Sequence, residues 1–123
     1  MIKLLIVDDS KAMRMIVRRA LRQANLGEHQ VDEATNGEEA LEKLRGAGPF
    51  DLVLADWNMP QMNGIDLLKA VRSEGMAVKF GFVTSEGTDD IRELAMQNGA
   101  QFLIVKPFTP EALHDALQPL GLA

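Results

Sequence analysis

The sequence contains no cysteine and no tyrosine, one tryptophan and five phenylalanines in 123 residues. Without cysteine there can be no disulfide and no thiolate metal site, which agrees with a reducing compartment. No apolar stretch approaches the ~20 residues that a membrane-spanning helix needs. The opening residues, MIKLLIVDDS, run straight into acidic side chains. They have no basic segment before the apolar run and no small-residue cleavage site, so they do not read as a signal peptide. A soluble, cytoplasmic chain is expected, with no membrane partner. An excess of positive charge is also missing: 13 Lys and Arg stand against 18 Asp and Glu, a net charge of −5. That balance argues against a general nucleic-acid binder, which needs basic residues for phosphate contacts. The length suits one domain, expected over residues 1–123 with no separate output domain. A chain of this size buries roughly two-thirds of its unfolded surface and can fold without staples.

What is present is a set of short apolar runs: 2–7 (IKLLIV), 52–55 (LVLA), 80–83 (FGFV) and 102–105 (FLIV). They barely alternate, as strands of a parallel sheet covered on both faces should. A weaker run, 30–34 (QVDEA), is polar enough for an edge strand. Helical patterns lie between the runs. Met13, Ile16, Val17, Ala20, Leu21 and Ala24 recur at three- and four-residue steps as one apolar stripe. Asn36 can cap a second helix, with Glu38 and Glu39 in its first turn. Ile65, Leu68 and Val71 mark a third. Thr88 opens a fourth, which stops at Asn98-Gly99, and Thr109-Pro110 opens a fifth that buries Leu113, Ala116 and Leu117. Five βα units with short connections predict an α/β fold, a doubly wound parallel sheet.

The runs end in a particular set of polar residues: Asp8-Asp9 after the first, Asp56 after the third, Thr84-Ser85 after the fourth, Lys106-Pro107 after the fifth. In open α/β sheets, ligands bind beyond the carboxyl ends of the strands. If the first and third strands are neighbours, Asp8, Asp9 and Asp56 share one crevice, with Thr84 and Lys106 lining its other side. Three carboxylates that close need a compensating charge. An all-oxygen set without His or Cys suits a hard cation, and Mg2+ is the natural choice. Metal, ammonium and hydroxyl together are what a phosphoryl group on a carboxylate requires, with Asp56 as nucleophile. Taken singly, Asp8 or Asp9 would more often cap a helix, Thr84 would be an ordinary strand end, and Lys106-Pro107 a turn with or without a cis bond. Their shared placement at strand ends favours a joint function.

These residues resemble the response-regulator receiver family, in particular its stand-alone chemotaxis members. The stretches that carry the resemblance are 7–10 (VDDS), 56–64 (DWNMPQMNG), 83–85 (VTS) and 106–108 (KPF), in order along the whole chain. The resemblance implies a flavodoxin-like sheet of five strands in the order 2-1-3-4-5 with five helices. It implies a two-component function: Asp56 accepts a phosphoryl group from a sensor histidine kinase. Asp9 and Asp56 would then ligate Mg2+ directly, Asp8 through water, and Asn58 through its backbone carbonyl. Thr84 would swing toward the phosphoryl group, Lys106 would pair with it, and Asn58 and Glu86 would tune self-dephosphorylation. The output partner would be a protein such as a flagellar motor switch component, docking on the face of the fourth helix, fifth strand and fifth helix. A phosphatase is a further expected partner, and a monomer the expected state. Such a protein is not an enzyme toward other molecules. It catalyses only its own phosphorylation and dephosphorylation.

One position departs from the family. Three residues before the strand-end lysine, where chemotaxis members carry an aromatic that turns inward with the threonine, this chain has Leu103. Phe102 should point to the opposite face. Other functions fit less well. A stand-alone phosphorelay intermediate or phosphate sink uses the same chemistry. An aspartyl-phosphate phosphohydrolase needs a second carboxylate two residues after its nucleophile, where this chain has Asn58 after Asp56 and Ser10 after Asp8. A phosphorylation-independent binding module would not need the full acidic set, and in a flavodoxin Asp8-Asp9 would repel the cofactor phosphate. The basic segment Lys11, Arg14, Arg18, Arg19 and Arg22 reads either as a solvated helix face or as a docking surface for an acidic partner.

Overall fold

Five strands alternate with five helices in the computed structural model, which describes residues 1–122. The order is β1 (Ile2–Val7), α1 (Lys11–Gln23), β2 (His29–Ala34), α2 (Gly37–Gly46), β3 (Leu52–Ala55), α3 (Gly64–Ser73), β4 (Lys79–Thr84), α4 (Asp89–Gln97), β5 (Phe102–Val105) and α5 (Pro110–Leu117). A short 3-10 turn, Gln118–Leu120, follows. The sheet runs β2-β1-β3-β4-β5 with every neighbouring pair parallel. This is the doubly wound order that the resemblance implied.

Alternation along the strands divides the core in two. Leu5, Val7, Val53, Ala55, Phe80, Phe82 and Leu103 face α2, α3 and α4. Leu4, Ile6, Leu52, Leu54, Val83 and Phe102 face α1 and α5. Phe102 and Leu103 do point to opposite faces, as period-two geometry requires. The Phe102 ring lies over Gly81, where an added Cβ would sit 2.1 Å from its Cζ.

All five helices start on a side chain that accepts an N–H from their first turn: Ser10, Asn36, Asn63, Thr88 and Thr109. Ser10, not Asp8 or Asp9, caps α1, so neither acid is used as a cap. Gly99 ends α4 with φ +97°, the left-handed residue expected there. The α1 stripe needs a correction. Val17, Ala20, Leu21 and Ala24 are buried, but Ile16 is 53% exposed, lying on the flank of the helix and off the sheet.

β2 is polar because it is an edge held from both sides. On one face, Arg14 and Arg18 of α1 bind the two oxygens of Glu33; on the other, Lys43 of α2 binds Asp32 at 3.0 Å. The loop after β3 is folded tightly under the start of α3, with Gly64 donating its N–H to the Trp57 carbonyl. A Cβ at Gly64 would lie 2.2 Å from the Asp56 carbonyl oxygen and 2.8 Å from the Phe82 ring. Gly64→Ala should therefore destabilise the fold by about 3 kcal/mol in urea unfolding. Gly46→Ala, with nothing within 4 Å of the new methyl, should be neutral or stabilising by a few tenths of a kcal/mol.

Candidate functional site

The sheet ladder continues one residue beyond three of the strands, and those residues form the site. The Asp8 amide donates to the Ala34 carbonyl (3.1 Å), the Asp56 amide to Val7 (2.9 Å) and the Lys106 amide to Thr84 (2.8 Å). These bonds bring Asp8, Asp56 and Lys106 to one end of the sheet in fixed relative positions. Lys106 is joined to Pro107 by a cis peptide bond.

Asp8, Asp9 and Asp56 converge, each offering a carboxylate oxygen within 4.8 Å of the others. They are graded by depth: Asp8 buried, Asp56 half-buried, Asp9 exposed. Lys106 Nζ lies 3.4 Å from Asp8 Oδ2 and 3.6 Å from Asp56 Oδ2. The other oxygen of each acid accepts from the backbone: Asp8 Oδ1 from the Ser10 N–H (2.9 Å), Asp56 Oδ1 from the Trp57 N–H (2.8 Å). Burial pushes the Asp8 carboxyl above the usual carboxylate range, and the neighbouring Asp56 charge adds to it. The Ser10 N–H and the Lys106 ammonium act in the opposite direction without cancelling the effect. One ammonium is too little for three carboxylates. The all-oxygen donor set, with negative charge in excess, fits Mg2+, which Asp8, Asp9 and Asp56 would hold.

Around the acids, Thr84 is fully buried, and its hydroxyl accepts from the Glu86 N–H (3.1 Å). The Asn58 side-chain amide donates to Glu86 Oε1 (3.1 Å) and ties the loop after β3 to the loop after β4. Leu103 is buried on the α2–α4 side, and its carbonyl accepts from Arg92 of α4 (3.0 Å). Trp57, adjacent to Asp56 in sequence, belongs to the buried core. Its ring is buried against Phe82, centroids 4.9 Å apart, and it meets Asp56 through its backbone N–H. The structure adds two contacts that the motifs did not predict: the Ser10 N–H on Asp8 Oδ1, and Arg14 Nη1 on the Asp8 carbonyl at 2.7 Å.

The family profile for the response regulator receiver domain matches residues 4–118. The chain is a response regulator receiver domain. Among curated proteins, this receiver is 42% identical over 118 residues to "Chemotaxis protein CheY1" of Helicobacter pylori, covering 94% of each. It is 41% identical to "Chemotaxis protein CheY homolog" of Campylobacter jejuni, covering 94% of this chain and 89% of that one. Among solved structures, the Vibrio cholerae chemotaxis protein CheY4 superposes with a TM-score of 0.84 at 36% identity, covering 97% and 98% of the two chains. The receiver is thus a CheY-like member of two-component signalling, and the resemblance carried by its motifs is borne out.

The raised Asp8 pKa has a thermodynamic consequence. An acid whose folded-state pKa exceeds its unfolded value destabilises the fold once pH rises above both, and the penalty vanishes below the unfolded value of 3.8. In metal-free receiver, Asp8→Asn should raise stability at pH 7, seen as a higher urea midpoint. The gain should shrink as pH falls through the raised folded-state pKa, vanish below 3.8, and reverse in saturating Mg2+. Urea titrations with EDTA or Mg2+ test it.

Proposed function

We propose that this receiver accepts a phosphoryl group from a histidine kinase onto Asp56, with Mg2+ bound beside it, and thereby changes its affinity for a protein target in chemotaxis signalling. The observation that carries the proposal is the contrast between the two acids facing Lys106. Asp8 is buried, whereas Asp56 is half-exposed, with one oxygen held by the Trp57 N–H and the other 3.6 Å from Lys106. Asp56 can be reached by a donor and is already oriented.

In the proposed step an Asp56 carboxylate oxygen attacks phosphorus, the P–N bond of the phosphohistidine breaks, and its electron pair returns to the imidazole, which takes a proton. Transfer of this kind depends on positioning and charge. Mg2+, when bound, supplies positive charge to the phosphoryl oxygens. Lys106 needs only a small movement to serve another of them. Thr84 can reach the group by giving up the Glu86 N–H. That exchange would loosen the loop that the Asn58–Glu86 bond now holds. Asn58 and Glu86 would then govern the approach of water, so the chemistry is confined to the receiver's own phosphorylation and dephosphorylation. Addition of Mg2+ and acetyl phosphate should give a single labile phosphoryl adduct by intact mass, together with a change in Trp57 fluorescence. Asp56→Asn should abolish both. No adduct at saturating donor would sink the proposal.

The kinase would dock on α1, but not through all of its basic residues. Arg14 and Arg18 are committed to Glu33. Lys11, Arg19 and Arg22 remain exposed around Met15 and Ile16, which are 58% and 53% exposed. A cationic rim around an apolar centre suits an acidic partner surface. Reversing the charge of Lys11 and Arg19 together should slow phosphotransfer from the kinase by about tenfold or more. Labelling by acetyl phosphate should be unchanged. Equal loss with both donors would refute the docking site.

A further inference from the structure

Asp9 is the least supported member of the acidic set. It is exposed, and its carboxylate takes no hydrogen bond from the described residues, unlike those of Asp8 and Asp56. Its direction must come from the backbone that carries it. The peptide linking Asp8 to Asp9 is planar. Whatever fixes the Asp8 carbonyl therefore fixes the plane from which the Asp9 side chain departs.

That carbonyl is held by a side chain. Arg14 Nη1 donates to it at 2.7 Å, while Arg14 Nε donates to Glu33 Oε1 at 2.7 Å. The guanidinium side chain is only 12% exposed. Two ends of a rigid, planar fork are thus engaged, one on the edge strand and one on the turn between β1 and α1. Arg18 provides an internal comparison. It binds the second oxygen of the same Glu33 and the Val31 carbonyl, but makes no hydrogen bond to the turn.

We propose that Arg14 is a positioning residue for the acidic pocket: braced on Glu33, its guanidinium clamps the Asp8 carbonyl and so aims Asp9 at the space shared with Asp8 and Asp56. The role is geometric. The charges that bear on the Asp8 carboxylate are those of Lys106 and Asp56, not that of Arg14. The inference rests on the pocket being a Mg2+ site. Groups that orient metal ligands from behind commonly change metal affinity by about 10- to 100-fold when removed.

The test is a Mg2+ titration followed by the NMR shift of the Trp57 backbone amide, which donates to Asp56 Oδ1 at 2.8 Å. Urea unfolding of the same samples gives stability. Arg14→Ala should weaken Mg2+ binding by about tenfold or more. Arg18→Ala should lower stability to a similar degree and leave Mg2+ affinity within about twofold of wild type. Arg14→Lys keeps the charge but loses the fork, and should stay at least about fivefold weaker. Unchanged affinity in Arg14→Ala, equal weakening in Arg18→Ala, or full recovery in Arg14→Lys would each overturn the positional role while leaving the Mg2+ site standing. A wild-type chain that gives no response to Mg2+ would instead overturn the pocket reading, and this inference with it.

Discussion

The site depends on the register of the parallel ladder. Asp56 is placed by its amide bond to Val7, Asp8 by its bond to Ala34, and Lys106 by its bond to Thr84. These are backbone bonds, indifferent to side-chain type, and they put residues 8, 56 and 106 at one end of the sheet. A slip of one residue would turn the strand side chains to the opposite faces and exchange the two cores. The Phe102–Gly81 contact, where the ring occupies the space that a Cβ would fill, resists such a slip. Core packing and site geometry are therefore one constraint, which is why the chemistry sits where the apolar runs stop.

At the same end the fold tolerates a local electrostatic cost. Asp8 is buried with less compensation than its charge needs, and Lys106 is shared between two acids, 3.4 Å from Asp8 and 3.6 Å from Asp56. A tighter pairing would make a better structural ion pair and a poorer receptor for a cation or a phosphoryl group. Elsewhere the same chain pairs its carboxylates closely. Glu33 and Asp32 are held below the usual range, in spite of some burial, by Arg18 and Arg14 and by Lys43. The contrast between β2 and the pocket separates groups arranged for stability from groups left for a ligand.

Much of this was legible in the sequence because it follows from local rules. Apolar runs predicted the strands, the Thr88, Thr109 and Asn36 caps predicted helix starts, and strand alternation placed Leu103 opposite Phe102. The strand-end acids converge because β1 and β3 are neighbours, an order that the family resemblance implied and that crossover rules alone left open. What was not legible depends on rotation and pairing across distance. The α1 periodicity admits Ile16 to the apolar stripe, yet at the flank of a 13-residue helix that position faces solvent. Arg14 and Arg18 looked like part of one basic face. Only the placement of β2 beside α1, with Glu33 pointing at them, divides the segment into two structural arginines and three exposed cations.

The absence of an aromatic at position 103 changes how a signal could leave the pocket. A leucine has no hydroxyl to reorganise, and this one is buried with little room to turn. Its carbonyl, however, is the acceptor for Arg92, so β5 is joined to α4 by a polar bond to its main chain. In the proposed switch, Thr84 leaves the Glu86 amide, which releases the loop leading into α4. Arg92 then carries the displacement of that helix to the backbone of β5, or the reverse. A relay through hydrogen bonds to the main chain needs no side-chain rotamer change in the core, and packed cores resist such changes. On this argument Leu103 is compatible with the proposed switching, because Arg92 would link α4 to β5 through the main chain.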